Sequence, residues 1–510
     1  MSRRVKAAKT VSLILALALT AAFFGGCMTE DSYTPELPVS YDKPPAPSED
    51  AGAQGRFDAK LYYISEDGLK LAPEERTVLC EEGEGMAFST IKALMTGPNS
   101  PTSRRSVPSR LKLDKVEETM GICNVYLSGG FPSSENDWLI ARLAIAATLG
   151  DTIGARAVNV FYNGKEQGYN NRPIGEARYS GESVDAYISA MEEAYGKRMG
   201  SGEAGKYISQ SVTLYFTNVE KTLIAAQSAD ITVSADASVM ELVEVLTAKL
   251  AGGVSSEHAL EPVLPADFML CEEPRISVFG ESSDPDSSSS SLPLYAPKII
   301  ELTITPPAME YDQRIMCAAL TMTLTGYLPG ISGIKLYILN DDGTKQQLYP
   351  DMDYLSRDTY TDMLGTSISV DYPDENGLML KKGSKIVYSS EQYDLAVRLR
   401  ALLEGNNESG TDIAGLTADD INRIYLVDST AVIDWKEGFT KKLRDALGGD
   451  ASAAGDREEL LMIYSIINTL TELPYVRRVW MSEQGQKLGM INRIYLGNPL
   501  LRSPGLIGSN

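Results

Sequence analysis

The sequence predicts a mixed α/β (α+β) protein of tandem small domains, each with two helices packed on a mixed sheet. Three observations predict it. Pairs of short segments that alternate apolar and polar residues around turn residues are typical of paired strands. Apolar residues then recur at helical spacing in segments that end at glycine. This order of elements occurs three times along the 510 residues, so we expect internal repeats.

A pair of strands is predicted to open each repeat. Asp67-Gly68 and Asn376-Gly377 lie between the strands of the first and third pairs, and these dipeptides supply the positive φ angles of tight hairpin turns. The second pair lacks such a glycine, so a different turn is expected there. The predicted strands are residues 60–64 with 76–79, residues 212–216 with 230–233, and residues 367–370 with 385–388.

Helices are predicted after each strand pair. Ser238 and Glu241 have the pattern of a capping box at the start of one of them. The first helix of each repeat is expected to stop at glycine, and a Thr-Leu pair is expected to mark the end of the second. The glycines are Gly97, Gly252 with Gly253, and Gly405, and the pairs are Thr148-Leu149, Thr323-Leu324 and Thr469-Leu470. In the first and third repeats, Gly164 and Gly485 each follow the threonine by sixteen residues.

The N-terminus has the pattern of a bacterial lipoprotein signal. Basic residues from Arg3 to Lys9 precede an apolar run over residues 11–24, and Gly25-Gly26 precede Cys27. We expect cleavage before Cys27 and lipid attachment to it, which would anchor the chain to the cell membrane on its extracytoplasmic side. An uncleaved membrane anchor is the alternative, but the run is shorter than the roughly 20 residues that span a bilayer.

The predicted organisation has seven segments. A polar, proline-rich composition indicates a tether after the signal peptide, and a run of five serines indicates a solvated insertion in the second domain. The segments are a lipoprotein signal peptide over residues 1–26, a Pro-rich tether over 27–56, domain 1 over 57–166, a linker with an amphipathic helix over 167–208, domain 2 over 209–344 with a Ser-rich insertion over 281–293, domain 3 over 345–490, and a C-terminal tail over 491–510.

Composition argues against several function classes. A net charge of −22 and a pI of about 4.6 argue against nucleic acid as a partner. His258 is the single histidine, which removes His-based triads and His-based metal sites. Paired acids are expected on solvated faces rather than in a catalytic pair, and no calcium-loop pattern is present. The acidic pairs are Glu74-Glu75, Glu117-Glu118, Asp341-Asp342 and Asp419-Asp420. The sequence therefore predicts no catalytic residue, cofactor or metal site.

Cysteines and tryptophans are further candidate site residues. Cys80 and Cys123 are predicted on strands of one domain, where buried free thiols are favoured over a disulfide. Trp138, Trp435 and Trp480 are candidates for ligand contacts, but a core position is favoured, because Trp435 and Trp480 lie on predicted strands, where aromatic residues most often pack against helices. An exposed aromatic cluster would instead favour stacking on wall glycans.

The first and third repeats resemble a GerMN domain. The resemblance is carried by residues 93–98 and 125–128 with Phe131 in the first repeat, and by residues 432–439 and 468–474 in the third. It is weakest in the second repeat. The resemblance implies a small α/β fold similar to the ring-building motif, with two helices on one face of a sheet. It also implies a wall-facing or membrane-anchored protein of Gram-positive bacteria, linked to sporulation or germination, without enzymatic activity.

The sequence therefore predicts a lipid-anchored extracytoplasmic scaffold of the Gram-positive cell envelope, in sporulation or spore germination, and not an enzyme. Serial repeats are expected to bind envelope proteins by combining weak contacts into avidity. The alternative is a peptidoglycan- or ligand-binding lipoprotein of the cell wall, and a carboxylate-dependent wall hydrolase is the third hypothesis. The sequence places no binding surface, and Cys27 is the one site residue that it predicts.

Overall fold

The computed structural model describes most of the chain after the predicted tether. The described residues are 54–179, 181, 183–195, 207–253, 260–280, 296–307, 311–405, 413–446, 453–491 and 494–508. The predicted signal peptide, Cys27, His258 and the Ser-rich insertion at 281–293 lie outside them, as does most of the predicted tether. No helix within the described ranges is both long enough and apolar enough to cross a membrane.

The first unit is a hairpin followed by a sheet that helices cover. Its elements are β1 (Gln54–Ile64), β2 (Leu71–Glu81), α1 (Met86–Thr96), β3 (Leu111–Thr119), β4 (Ile122–Gly129), α2 (Glu135–Ile153), β5 (Ala157–Tyr162) and β6 (Lys165–Glu166). β1 and β2 pair antiparallel, and Gly68 has a φ of 78° in their turn, as predicted. The sheet order is β3-β4-β5-β6, in which β4 and β5 are parallel and joined through α2. Ser134 caps α2 by accepting from the N–H of Asp137.

The segment after the first unit contains the predicted amphipathic helix, α3 (Val184–Tyr195). Its described residues pack on the first unit. Ala177 and Val158 exchange backbone hydrogen bonds, and the N–H of Val184 donates to the carbonyl of Leu69 at 3.0 Å. This segment therefore extends the first unit.

The second unit repeats the same order. Its elements are β7 (Tyr207–Asn218), β8 (Ile224–Ser234), α4 (Val239–Gly252), β9 (Leu260–Glu261), β10 (Arg275–Val278), β11 (Lys298–Ile304), α5 (Gln313–Tyr327), β12 (Ile331–Leu339), β13 (Lys345–Gln347) and β14 (Leu355–Ser356). The β7–β8 turn differs from the other two, as predicted. Lys221 takes a φ of 54° there, and the Asn218 side chain accepts from the N–H groups of Thr222 and Leu223. The sheet order is β10-β11-β12-β13, and β14 also pairs with β12.

Half of the predicted capping box is present in the second unit. Ser238 caps α4 by accepting from the N–H of Glu241. The Glu241 carboxylate does not return to Ser238, however, and accepts instead from the N–H of Ser234 at the end of β8 at 3.1 Å. It therefore ties the helix to the hairpin.

The third unit adds a helix and a C-terminal segment to this pattern. Its elements are β15 (Gly365–Pro373), β16 (Leu380–Tyr388), α6 (Leu395–Leu403), β17 (Ile421–Val427), β18 (Thr430–Trp435), α7 (Phe439–Ala446), α8 (Ala453–Leu470), β19 (Arg478–Glu483), β20 (Gln486–Lys487), β21 (Met490–Ile491), β22 (Ile494–Tyr495) and β23 (Leu500–Leu501). The sheet order is β17-β18-β19-β20, and β23 also pairs with β19. The predicted domain boundaries remain predictions. β13 and β14 lie beyond residue 344, the predicted end of domain 2, and pair with β12 of the second unit. β23 lies in the predicted C-terminal tail and pairs with β19 of the third unit.

One hydrogen bond recurs in all three units and gives a role to the threonine of each Thr-Leu pair. A backbone N–H of the first hairpin strand donates to the Oγ1 of this threonine near the end of the second long helix. The pairs are Tyr62 with Thr148 at 3.0 Å, Tyr215 with Thr323 at 3.3 Å, and Asp371 with Thr469 at 2.9 Å. All three threonines are completely buried. The threonine therefore fixes the hairpin on the helix in each unit.

The predicted tryptophans and cysteines lie as expected. Trp138, Trp435 and Trp480 are each at most 1% exposed, which confirms the prediction of a core position. Trp435 stacks on Phe439 with ring centroids 4.7 Å apart. The four described cysteines are free thiols, with Cys80, Cys123 and Cys317 buried and Cys271 half-buried.

Candidate functional site

The first and second units meet across the sheet face that α2 leaves open. Met120, Ile122 and Ala157 of the first unit lie in the same apolar cluster as the core of the second unit. Polar residues extend this contact, because Asn124 Nδ2 donates to Tyr215 Oη at 3.0 Å. The two units thus share one continuous core.

Arg357 joins these two units by its charge. It is 5% exposed and stands in a short 3-10 helix over Arg357–Met363, just after β14. Its guanidinium lies 4.6 Å from the Phe161 ring centroid, and its Nε donates to Tyr126 Oη at 3.1 Å. Tyr126 in turn donates to the Glu117 carboxylate at 2.7 Å. A buried cation is therefore connected to a carboxylate through one tyrosine.

The first and third units meet at the end of β3. The carbonyl of Glu118 accepts from Ser389 Oγ at 2.6 Å and from Gln392 Nε2 at 3.1 Å. Tyr393 Oη donates to the Glu118 carboxylate at 2.6 Å. The Tyr393 ring also lies directly on Gly85, where an added Cβ would come within 2.6 Å of a ring carbon. Glu118 is thus held through both its backbone and its side chain.

A cleft of about 590 Å³ lies where these contacts converge, and we refer to it as the inter-unit cleft. One wall is the segment from Asp114 to Glu118 of β3. The remaining wall residues come from the loop before α1 and α1 itself, the segment that follows β14, and the segment that follows β16. They include Glu84, Phe88, Thr361, Leu364, Ser389, Ser390, Gln392 and Tyr393. The first unit, the segment between β14 and β15, and the third unit therefore all contribute to one site.

The inter-unit cleft is acidic. Four carboxylates line it, from Glu84, Asp114, Glu117 and Glu118, against the single cation of Lys115. Burial raises the pKa of Glu118, although the hydrogen bond from Tyr393 opposes this. Burial also acts on Glu84, but the hydrogen bonds from Ser89 and Lys92 prevail and lower its pKa. The cleft therefore offers negative charge along one side and a more easily protonated carboxyl at the junction.

The pair Glu117-Glu118 corrects the prediction that paired acids lie on solvated faces. The Glu117 side chain is only 14% exposed and pairs with Lys115 Nζ at 2.8 Å. Glu118 is held against Tyr393 in the unit junction. The reason is tertiary, because the third unit covers Glu118, whereas Glu117 accepts from Tyr126, which itself accepts from the buried Arg357. By contrast, Asp341 and Asp342 are exposed, as predicted.

A second cavity of about 390 Å³ adjoins the inter-unit cleft and shares Glu118, Gln392 and Tyr393 with it. Arg398 lines this cavity and is 7% exposed. One of its terminal nitrogens donates to the carbonyl of Ser369 at 3.1 Å, while its Nε has no acceptor among the described residues. Burial lowers the pKa of Arg398. The junction thus holds a buried cation beside two acidic side chains.

Sequence reasoning missed most of this site. It singled out Glu117-Glu118 as acids, but it did not single out Gln392, Tyr393 or Arg357. The one predicted site residue, Cys27, lies outside the described residues. Within the described ranges, no group of three or more His, Cys, Asp or Glu side chains could hold a metal ion.

One family model matches parts of the chain that lie in the first and third units. The family described as Germane, sporulation and spore germination, matches residues 60–168 and 371–489. The tandem GerMN domains of the sporulation protein GerM from Bacillus subtilis are similar at 14% identity, over 59% of this chain and 99% of that chain, with a TM-score of 0.21. The first GerMN domain of GerM is similar at 20% identity, over 25% of this chain and 96% of that chain, with a TM-score of 0.18. A comparison with curated proteins found no match.

Proposed function

We propose that this chain, whose residues 60–168 and 371–489 match the sporulation and spore germination family, is a lipid-anchored scaffold that binds a protein of the cell envelope. The observation that carries the proposal is the inter-unit cleft, to which the first unit, the segment between β14 and β15, and the third unit contribute. A site composed in this way exists only when the units are assembled. A partner that binds there would therefore recognise the assembled chain rather than one repeat.

The proposed mechanism is association without catalysis. Glu117 and Glu118, two of the four carboxylates of the cleft, have structural partners in the chain, since Glu117 pairs with Lys115 and Glu118 accepts from Tyr393. The buried tryptophans support a protein partner over wall glycans, because none of the three is exposed for stacking on sugar. Acidic and apolar groups together suit a protein segment.

The proposed attachment is tested through Cys27. In cells, Cys27→Ser should move the chain from the membrane fraction to the soluble fraction, because one lost lipid anchor removes about 0.8 kcal/mol per buried methylene. Cys271→Ser is the matched control, since Cys271 is a half-buried free thiol of the folded body. Membrane retention of Cys27→Ser would contradict lipid anchoring at this residue.

The proposed binding is tested by crosslinking in cells. A photoreactive residue at Ser390, which is exposed and lines the cleft, should crosslink to a defined envelope protein. The same residue at Asp341, exposed in the turn after β12, is the control for surface collisions. Growing and sporulating cells are compared, and purified wall sacculi are sedimented with the chain. Crosslinks equal at both positions, or recovery with sacculi alone, would overturn the scaffold proposal in favour of non-specific or wall binding.

A further inference from the structure

We propose that the inter-unit cleft binds an extended, basic segment of the partner protein as an added strand on β3. This inference rests on the proposed function and names the chemistry of the partner. It is carried by the position of the cleft relative to β3, by the backbone groups that point into it, and by its charge.

The cleft lies at the edge of β3 and not over one face of its sheet. Successive side chains of a strand point to opposite faces, so a cavity over one face is lined by alternate residues. Here five consecutive residues, Asp114 to Glu118, line the cleft, and none of the lining residues comes from β4. β3 is also the outermost strand in the order β3-β4-β5-β6. The cleft therefore follows the open edge of the sheet.

Backbone groups of β3 point into this edge without a partner. The carbonyl of Glu118 points away from β4, because it accepts from Ser389 and Gln392 of the third unit. Residues two apart in a strand direct their N–H and C=O groups to the same side. The N–H and C=O of Val116 therefore face the cleft, and no residue in the described part of the chain bonds to them. An edge with free backbone groups is a template for another strand.

The slot is bounded at both ends. The β3–β4 register shifts between Leu113 and Lys115, and such a bulge ends regular pairing on the edge. At the other end, Ser389 and Gln392 already occupy the Glu118 carbonyl. At about 3.3 Å per residue, the span from 114 to 118 accommodates roughly five residues of an added strand.

The walls of the slot favour a basic sequence with apolar residues between the charges. Glu84, Asp114, Glu117 and Glu118 outnumber Lys115, and Lys115 is itself paired with Glu117. Consecutive residues of β3 point to opposite faces, so Glu117 and Glu118 place a carboxylate on each side of an added strand, while Phe88 and Leu364 offer apolar contact. A segment that carries several Lys or Arg residues with apolar residues between them matches this arrangement.

Binding is measured with the full chain in non-ionic detergent and labelled pentapeptides. The probe is acetyl-Lys-Val-Lys-Val-Lys-amide, and it is compared with its Glu-Val-Glu-Val-Glu counterpart and with a version whose central amides are N-methylated. We expect the lysine peptide to bind at least tenfold more tightly than both, and to slow amide hydrogen exchange at Val116. Asp114→Lys should weaken it several-fold, with a loss that shrinks at high salt. Asp114 is exposed, so the fold should tolerate the change, and Asp341→Lys is the control at a distant exposed site.

The outcomes separate this inference from the proposed function. Equal binding of the N-methylated and unmethylated peptides would overturn strand addition, and equal binding of the glutamate peptide would overturn the charge argument. If either occurs while a photoreactive residue at Ser390 still captures an envelope protein, the scaffold proposal stands and the added strand does not. If the peptide binds as expected but Ser390 captures no protein in cells, the slot is real and the scaffold proposal fails.

Discussion

Replacing Thr469 by valine tests the recurring bond between hairpin and helix. Valine has nearly the same shape as threonine, but it cannot accept the hydrogen bond from the N–H of Asp371, which is 2.9 Å from Oγ1. The threonine is completely buried and Asp371 is 1% exposed, so water cannot replace the lost acceptor without entering the core. A buried N–H left without an acceptor costs about 1–3 kcal/mol. We expect Thr469→Val to lose this much free energy of unfolding.

The other two units provide an internal scale. Thr148→Val should lose a similar amount, because its bond from Tyr62 is 3.0 Å and equally buried. Thr323→Val should lose less, because the bond from Tyr215 is longer at 3.3 Å.

Urea denaturation of the full chain in non-ionic detergent provides the measurement. Trp435 and Trp480 report the third unit by fluorescence and Trp138 reports the first, while circular dichroism reports all three. Thr325→Val is the matched control. Thr325 is also completely buried on α5, but its hydroxyl donates to the carbonyl of Thr321 in its own helix, so no N–H is orphaned. Equal losses for Thr469→Val and Thr325→Val would refute the role given to the inter-element bond.

Three further substitutions test buried charge and close packing. Burial raises the pKa of Asp371, so its folded state favours the protonated form and loses stability as pH rises through the folded pKa; Asp371→Asn should be more stable than the wild type at pH 7–8, with the gain vanishing near pH 4. Arg142→Met should lose about 3–5 kcal/mol, because it leaves the Glu166 carboxylate buried without its 2.7 Å ion pair. Gly55→Ala should lose about 1–3 kcal/mol, because its Cβ would lie 1.9 Å from the carbonyl oxygen of Pro474.

Each of these has a comparison that can contradict it. For the pH effect, a constant difference between Asp371→Asn and the wild type from pH 4 to 8 would exclude titration of this carboxyl as the cause. For the ion pair, an Arg142→Met, Glu166→Gln double variant should recover part of the loss, and no recovery would place the effect in packing alone. For the glycine, Gly252→Ala is the control, because nothing lies within 4 Å of the added Cβ and the residue ends a helix.

Local patterns predicted the elements because their causes are local. The hairpins follow from alternation and from turn glycines such as Gly68 and Gly377, both of which have positive φ. The stop of α1 at Gly97 follows from the same freedom of glycine. The spacing of sixteen residues between Thr469 and Gly485 is the same as that between Thr148 and Gly164 in the first unit. Both ends are fixed locally, because the threonine holds the hairpin and Gly485 takes a φ of 71° in the turn after β19.

Local sequence patterns could not predict the contacts between units. Arg357 stands in a polar stretch without helical or strand periodicity, and only the assembled structure brings it 4.6 Å from the Phe161 ring centroid. Glu118 is an ordinary acidic residue in the sequence, and its raised pKa is caused by burial at a junction that joins it to Tyr393, 275 residues further along the chain. The fold was therefore accessible from one sequence, whereas the candidate site depended on long-range packing.

Equivalent positions in the repeats have diverged toward different contacts. Tyr126 pairs in register with Phe161 on β4 and β5, and Asp434 pairs in the same way with Ser482 on β18 and β19. In the first unit, the two rings stack on each other, and the guanidinium of Arg357 lies over the Phe161 ring. In the third, Asp434 is satisfied within its own unit, since Ser482 Oγ donates to it at 2.7 Å.

This divergence changes how serial repeats should be understood here. Avidity from repeated weak contacts requires that each repeat present a similar free surface. The second unit covers the open sheet face of the first unit, where Asn124 donates to Tyr215. The end of β3 contacts the third unit at Glu118. Among the described residues, the assembly leaves open a composite slot along β3 and, within the third unit, a cavity lined by Arg423 and Asp434. One chain should therefore bind one strand at this slot, and a stoichiometry of three would show that the repeats act separately.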